Sequence, residues 1–369
     1  MRKNVLFAAA GLAVLPVVSN AAAPTLGEVL EASGITATGY LDASYVLSNT
    51  NKAAAGTRGG LDGNRDSFSL NQAAITFSKL PTEGFGGLVN VIAGSDAPAI
   101  NAAYASGVGS DFSLTQAFVQ YATGGLTVIG GRFVTLAGAE VINSTQNANA
   151  SRSLLFNFAE PLVHTGVRAT YKFNDVVSLV GGLNNSVTGI AGDTNKQKTA
   201  ELGVLLAPTS DIAVSLVEYY DTVNNSAGAA GFGTAHRTSA TDLVVTYQAT
   251  KELSFGVNAD YVKLTVDGAP SPNLKGVALY SGYQFCDALK GSLRAEYLST
   301  NAAGVTAALL PASAKTLKEL TYTLDYTAAK NFDLLTEARY DKADTNAFGT
   351  ATASKTNQVS LELKAIYKF

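Results

Sequence analysis

The sequence has one cysteine, no tryptophan and two histidines in 369 residues. A single cysteine excludes an intramolecular disulfide framework and a cysteine-based zinc site, and two histidines do not make a His-rich metal centre. Charged residues are scarce, at 15%, and the formal net charge is −3. The basic footprint of a nucleic-acid binder is therefore missing, and no nucleic-acid partner is expected. A disordered chain is excluded too, because 47% of the residues are apolar and disorder needs low hydrophobicity with high charge. After the first two dozen residues there is no run of about 20 apolar residues able to cross a bilayer as a helix. What the sequence does have is 35 glycines, 16 tyrosines and 16 phenylalanines. The length allows two domains, but the pattern described below favours one closed sheet.

The N-terminus reads as an export signal. Arg2 and Lys3 are followed by an apolar stretch from Val5 to Val18, broken by Gly11 and Pro16, and then by the small residues Ser19 to Ala23. This three-part pattern predicts a cleaved signal over residues 1–22, with the cut after Ala21 or Ala22. The stretch is too short to span a hydrocarbon core of about 30 Å comfortably. Removing it leaves 24 basic against 29 acidic residues, a net of −5. A short periplasmic segment, 23–34, is expected next. In it Thr25 caps a short helix, Glu28 completes a capping box and Gly34 ends it, so the segment is either a partial plug at the periplasmic mouth or a disordered tail.

From residue 35 to 369 the hydrophobic period is two. Val359, Leu361, Leu363, Ala365, Tyr367 and Phe369 alternate with Ser360, Glu362, Lys364, Ile366 and Lys368. Alternate side chains of a strand point to opposite faces, so one face is apolar and the other mostly charged. The alternation recurs at 163–173, 253–261, 289–297, 332–340 and 35–47, where His164, Arg168 and Lys172, Asp260, Arg294 and Glu296, and Glu337 and Arg339 fall on the polar faces. Segments near 66–79, 85–96, 111–123 and 211–222 are strand-like but ambiguous in facing. A soluble sandwich shows such faces in water; a membrane barrel turns the apolar face to lipid and the polar face to a lumen.

The connections separate the two. Short ones fall at 81–84, 124–125, 174–175, 208–210, 250–252, 287–288 and 329–331; long Gly-, Asn-, Ser-, Thr- and Ala-rich ones cover about 48–65, 97–110, 138–161, 186–196, 223–235, 267–272, 301–315 and 344–355. Strict alternation of short turns and long loops is the habit of outer-membrane barrels. The expected fold is thus all-β: a transmembrane antiparallel β-barrel of about 16 strands, closed by pairing 35–47 with 356–369, which removes both sheet edges. Tyr and Phe near the strand ends fit aromatic girdles, and equally the ordinary strand preference of aromatics.

Several stretches carry a family resemblance. Phe112–Tyr121, Gly130–Glu140, Ser151–Phe156, Pro161–Arg168 and Ser33–Ser44 resemble the OmpL-like β-barrel porin family. The resemblance covers most of the mature chain and is densest between Ile35 and Asn185. The terminal Phe369, with Tyr367, Ala365, Leu363 and Leu361 before it, resembles the assembly signal of bacterial outer-membrane barrels. The resemblance implies an outer-membrane porin, embedded in lipid, for passive diffusion of small hydrophilic solutes and ions. It supplies no catalytic residue and no cofactor. General porins are often trimers, so a homotrimer remains open.

In general porins the third outside loop folds into the lumen, and the resemblance implies the same for residues 138–160. That loop carries Glu140, Arg152 and the uncharged stretch Asn143–Asn149, with Leu154, Leu155, Phe156 and Phe158 as wall anchors. Together with Arg132, His164, Arg168 and Lys172, it forms the expected constriction, with a basic side and hence weak selectivity preferring anions. Against this stands the plain reading that charges simply line a wet lumen and that Arg168 pairs with a carboxylate. Two other functions remain: a closed barrel serving surface structure or adhesion, and a solute-specific porin.

Enzyme signals are weak. His164 lies on the inner face without an obvious serine partner, and His236 sits beside a long loop, so no Ser–His–acid triad is expected. Asp62–Asp66 begins like a calcium loop but has Ser67 and Ala73 where Gly and Glu belong, so the EF-hand reading fails. No metal site is expected, and Cys286 reads as an inert thiol.

Overall fold

The computed structural model describes residues 25–50, 61, 63–102, 110–187, 196–221, 237–265, 271–301, 310, 314–350 and 353–369. The expected signal segment lies outside the described residues, as do His236 and Asp62. Residues 25–35 belong to one compact unit and residues 36–369 to another. In the first, α1 (Leu26–Ser33) starts on a capping box. Glu28 N donates to Thr25 Oγ1 at 3.3 Å, and Thr25 N donates back to Glu28 Oε2 at 2.7 Å. These bonds satisfy two amides that a helix start leaves open. Gly34, with φ of +67°, follows the helix at its C-terminal end.

The second unit is a closed antiparallel barrel. Its strands are β1 (Thr36–Ser48), β2 (Ser67–Lys79), β3 (Gly84–Ala93), β4 (Phe112–Thr123), β5 (Leu126–Val134), β6 (Val163–Lys172), β7 (Val177–Asn184) and β8 (Thr199–Thr209), then β9 (Ile212–Asp221), β10 (Arg237–Gln248), β11 (Leu253–Thr265), β12 (Asn273–Cys286), β13 (Leu289–Thr300), β14 (Thr316–Ala329), β15 (Phe332–Ala343) and β18 (Asn357–Lys368). A small hairpin, β16 (Phe348–Thr350) with β17 (Ala353–Lys355), sits in the eighth loop. Neighbours in sequence pair throughout. The ring closes where β1 meets β18, with Tyr45 opposite Leu363 and Ala43 opposite Ala365. Every strand thereby has two partners, as a sheet in hydrocarbon requires. Among the described residues the expected sixteen barrel strands are present, joined by seven short connections and eight longer ones, and the four segments of ambiguous facing are β2, β3, β4 and β9.

Alternation builds the two surfaces. In β18, Leu361 and Leu363 are 51% and 60% exposed, whereas Glu362 and Lys364 between and beside them are 1% and 2% exposed. Val119, Leu202, Leu183, Leu279 and Leu320 are likewise exposed on other strands. An apolar surface so continuous is not tolerated in water; against lipid it is the favourable side. Aromatic pairs mark both rims. Phe85–Tyr121, Tyr171–Phe173, Tyr283–Phe285 and Tyr367–Phe369 pack, tilted or edge-on, at the short-turn end, and Tyr45–Phe68 at the long-loop end. The tight turn Gly124–Gly125 needs a positive φ, which Gly124 supplies at +55°, a conformation glycine adopts without steric cost. Among the described residues no helix is long and apolar enough to cross a membrane.

Candidate functional site at the third loop

The third loop, residues 135–162, is shaped from within by short polar side chains. Asn143 caps a single 3₁₀ turn by accepting from Thr145 N at 2.9 Å. Asn147 clasps both the amide and the carbonyl of Val141, at 2.9 and 2.8 Å. Ser153 caps α3 (Leu154–Phe158), accepting from Phe156 N at 2.9 Å. The uncharged stretch is therefore a brace: Asn and Ser hydroxyl and amide groups stand in for backbone partners that irregular chain lacks. Arg152 is the internal post. It is 1% exposed and donates from Nε to Val141 O at 3.0 Å and from Nη2 to Ile142 O at 2.7 Å, with Phe156 beneath it at 5.7 Å.

The loop then engages polar-face side chains of strands far around the ring. Glu140 meets Arg294 of β13 at 2.5 Å, and Arg294 also donates to Ser151 O at 2.7 Å and to Glu319 of β14 at 2.9 Å. Arg339 of β15 donates to Arg152 O at 2.6 Å while Asp341 holds its other edge at 2.9 Å. Ala150 N donates to Glu337 at 2.8 Å, Lys364 of β18 to Ala150 O at 2.6 Å, and Asn149 to Thr323 at 2.8 Å. Gln72 of β2 donates to Ile142 O at 3.0 Å, and Ala139 N to Asn258 of β11 at 2.8 Å. Buried charges are stable only when paired and hydrogen-bonded; here the ion pairs lie mostly between strands, and the loop adds Glu140 and several hydrogen bonds to them.

Two apolar seats hold the ends of this span. Leu154 and Leu155, each 0% exposed, pack with Val217, Tyr219, Leu274, Leu298 and Leu317. Ile142 and Phe156 pack with Tyr40, Ile92 and Ile100, the last from α2 (Ala97–Ala102) in the second loop. Full burial of a leucine is worth roughly 1.5–3 kcal/mol, so α3 is a firm anchor.

The six residues expected at the constriction separate into groups. Glu140 and Arg152 lie in the loop's core as described. His164 and Arg168 form a second group with Glu201 and Tyr219: Arg168 meets Glu201 at 2.7 Å and covers the Phe133 ring at 4.4 Å, and His164 stacks on Tyr219 at 4.5 Å. Tyr219 joins this group to the loop by accepting from Leu136 N at 3.0 Å. Arg132 and Lys172 do not belong. Arg132 pairs with Thr165 in the β5–β6 register, whereas Phe133 pairs with His164; it therefore stands on the opposite face of the sheet from His164, and its Nη1 donates to Leu114 O at 3.0 Å. Lys172 ends β6 at the short turn, where it meets Asp175 at 2.7 Å and is 57% exposed; its hydrogen bond holds the Asp175 carboxyl below the usual aspartate value. A single basic cluster is thus not assembled. Arg294 and Arg339 take the leading cationic roles instead. Their polar-face positions follow from the alternation, but nothing in their own segments announces the third loop as their partner.

A closed sixteen-stranded sheet with an apolar exterior, aromatic rims and a polar interior engaged by one long loop defines an outer-membrane β-barrel of the porin class. Residues 34–369 match the family described as putative beta-barrel porin-2, OmpL-like, and the chain belongs to that family. Among solved structures it is similar to the trimer form of in-vitro folded OmpT, an outer membrane protein of Vibrio cholerae, with TM-score 0.58 and 15% identity over 91% of this chain and 99% of that one. It is also similar to the outer membrane channel DcaP of Acinetobacter baumannii, with TM-score 0.59 and 14% identity over 91% and 97%. An anion-selective porin from Comamonas acidovorans gives TM-score 0.59 and 10% identity over 91% and 99%. These likenesses concern the fold. No curated protein matches the chain. Family and fold point to a non-enzymatic channel in the outer membrane.

Proposed function

We propose that the barrel is a passive diffusion channel for small hydrophilic solutes and ions, with the third loop crossing the lumen as its filter. The observation that carries this reading is a cavity of about 530 Å³. It is bounded by Glu140, Gln146 and Asn149 of the third loop and by Thr246, Lys290 and Ser292 of β10 and β13. Ser210 and Asp211 in the β8–β9 turn also border it, so the space extends from the short-turn end to the loop. Sixteen strands are wide enough for an aqueous passage.

The expected anion preference needs a concentrated basic ring. Arg168 and Arg294 are instead each matched to carboxylates, and the cavity carries Glu140 and Lys290 together. The reading is therefore weak selectivity. A homotrimer, the form in which the OmpT neighbour was described, is the proposed assembly. Swelling of proteoliposomes in isotonic sugars tests the channel: the rate falls with solute size if the reading holds, and no swelling with any solute refutes it.

A closed barrel is the second reading, and the two apolar seats favour it. Leu154 and Leu155 on one side and Phe156 and Ile142 on the other clamp the loop too tightly for it to swing aside readily.

A further inference from the structure

Three carboxylates meet at the junction between the third loop and the β10–β11 wall. Asp242 and Asp260 face each other directly in the antiparallel register. Glu160, two residues after α3, comes down onto them, and one oxygen from each of the three lies within 4.8 Å of the others. Like charges opposite one another on a sheet are ordinarily destabilising, and burial raises the cost. Asp242 and Asp260 are 2% and 6% exposed. Asp242 Oδ2 accepts from Asn258 at 2.6 Å, the Gly138 amide also donates to Asp242, and Asp242 and Asp260 share a hydrogen bond, but both oxygens of Glu160 are buried with no hydrogen-bond partner. These unsatisfied atoms are the second sign of a ligand, because buried oxygens of this kind are normally paired. The backbone leaves room for the third carboxylate: Gly138 has a φ of +94°, and a Cβ there would stand 2.0 Å from Glu160 Oε2.

We infer that Glu160, Asp242 and Asp260 bind a calcium ion that ties the third loop to the β10–β11 wall. The donor set is all oxygen, which suits a hard cation, and calcium takes such ligands at about 2.3–2.6 Å. Magnesium demands a near-ideal octahedron and keeps several waters, which a buried trio of carboxylates suits less well than the flexible oxygen shell of calcium. The ion neutralises the buried charge and occupies the unsatisfied oxygens in one step. This site does not depend on whether the barrel conducts.

The test uses the full barrel refolded from denaturant into detergent, free of lipopolysaccharide and stripped with chelator. Terbium serves as the probe, read by tyrosine-sensitised emission, since the chain has 16 tyrosines and no tryptophan. The expected result is saturation at one ion per chain, displacement by calcium more readily than by magnesium, and a calcium-dependent rise in Tm. Glu160→Gln and Asp260→Asn should each abolish both signals. Glu160→Gln lies outside the barrel strands, so it decides the matter if Asp260→Asn does not refold. Absence of saturable emission, an unchanged Tm with calcium, or emission and calcium response retained in Glu160→Gln overturns the assignment; the cluster would then be balanced by protons.

Discussion

Arg294 and Glu140 form a 2.5 Å ion pair across 154 residues of sequence, and neither side chain is more than 4% exposed. The pair joins the third loop to β13. Breaking one partner of a buried pair costs about 3–5 kcal/mol, because the other is left charged and unsolvated. Arg294→Ala should therefore lower unfolding stability by that amount. Glu140→Gln should refold but give noisier channel currents as the loop loosens. Urea unfolding followed by tyrosine fluorescence, with planar-bilayer recording, reads both effects. A neutral Arg294→Ala would show that the loop is held by its apolar seats alone.

Arg168 is matched to Glu201, so in the wild type it contributes little net field. Arg168→Ala leaves Glu201, itself 0% exposed, without its main partner. The reversal potential in a salt gradient should shift toward cations, with a stability loss of about 3–5 kcal/mol. Arg132→Ala, on the other face of the sheet, should leave selectivity unchanged. An equal shift in both variants would place Arg132 in the lumen after all.

The exterior of β18 meets lipid. Leu363, 60% exposed, sits midway along the strand, where an arginine costs roughly 2–4 kcal/mol in a barrel. Leu363→Arg should reduce folding into vesicles by that margin, measured as a shift in the urea midpoint. No penalty would mean that this face is covered by protein.

Glu28 titrates below the ordinary glutamate value of 4.5 because the Thr25 amide, then the Thr25 hydroxyl, hydrogen-bonds its carboxylate. A depressed carboxyl stabilises the folded form above its unfolded value, and that contribution disappears as pH falls through the folded value. The cap at α1 should thus hold at neutral pH and weaken below about 4.5. Carboxyl NMR of the protein in micelles checks this: an apparent pKa at or above 4.5 contradicts the capping box.

Much of the barrel is legible because lipid on one face and water on the other impose period two. Val359 to Phe369 shows it without ambiguity. Where bulges intervene, opposite Asn90 and Val91 and opposite Asp42 and Ala43, an extra residue (Thr115 in β4, Asn71 in β2) makes the alternation slip, and the facing of β2 and β4 blurs. Arg132 is misread for a related reason. A charged residue belongs inside by the lumen rule, but this one sits near the loop end of β5, where its long stem can lie over apolar surface while its head reaches the Leu114 carbonyl. The third loop stands out by its length and by Arg152. Its partners do not, since closure of the ring brings Arg339 to Ser151 across 188 residues, and no local pattern encodes that meeting. The carboxylate trio is equally hidden: Glu160, Asp242 and Asp260 come from a loop and two strands whose convergence only the register reveals.

Single-channel recording of the refolded protein in planar bilayers, under a salt gradient, tests the central claim most directly. Stable conductance steps with a small reversal potential are the predicted result. A correctly folded barrel that inserts and never conducts would contradict the account and establish the closed form.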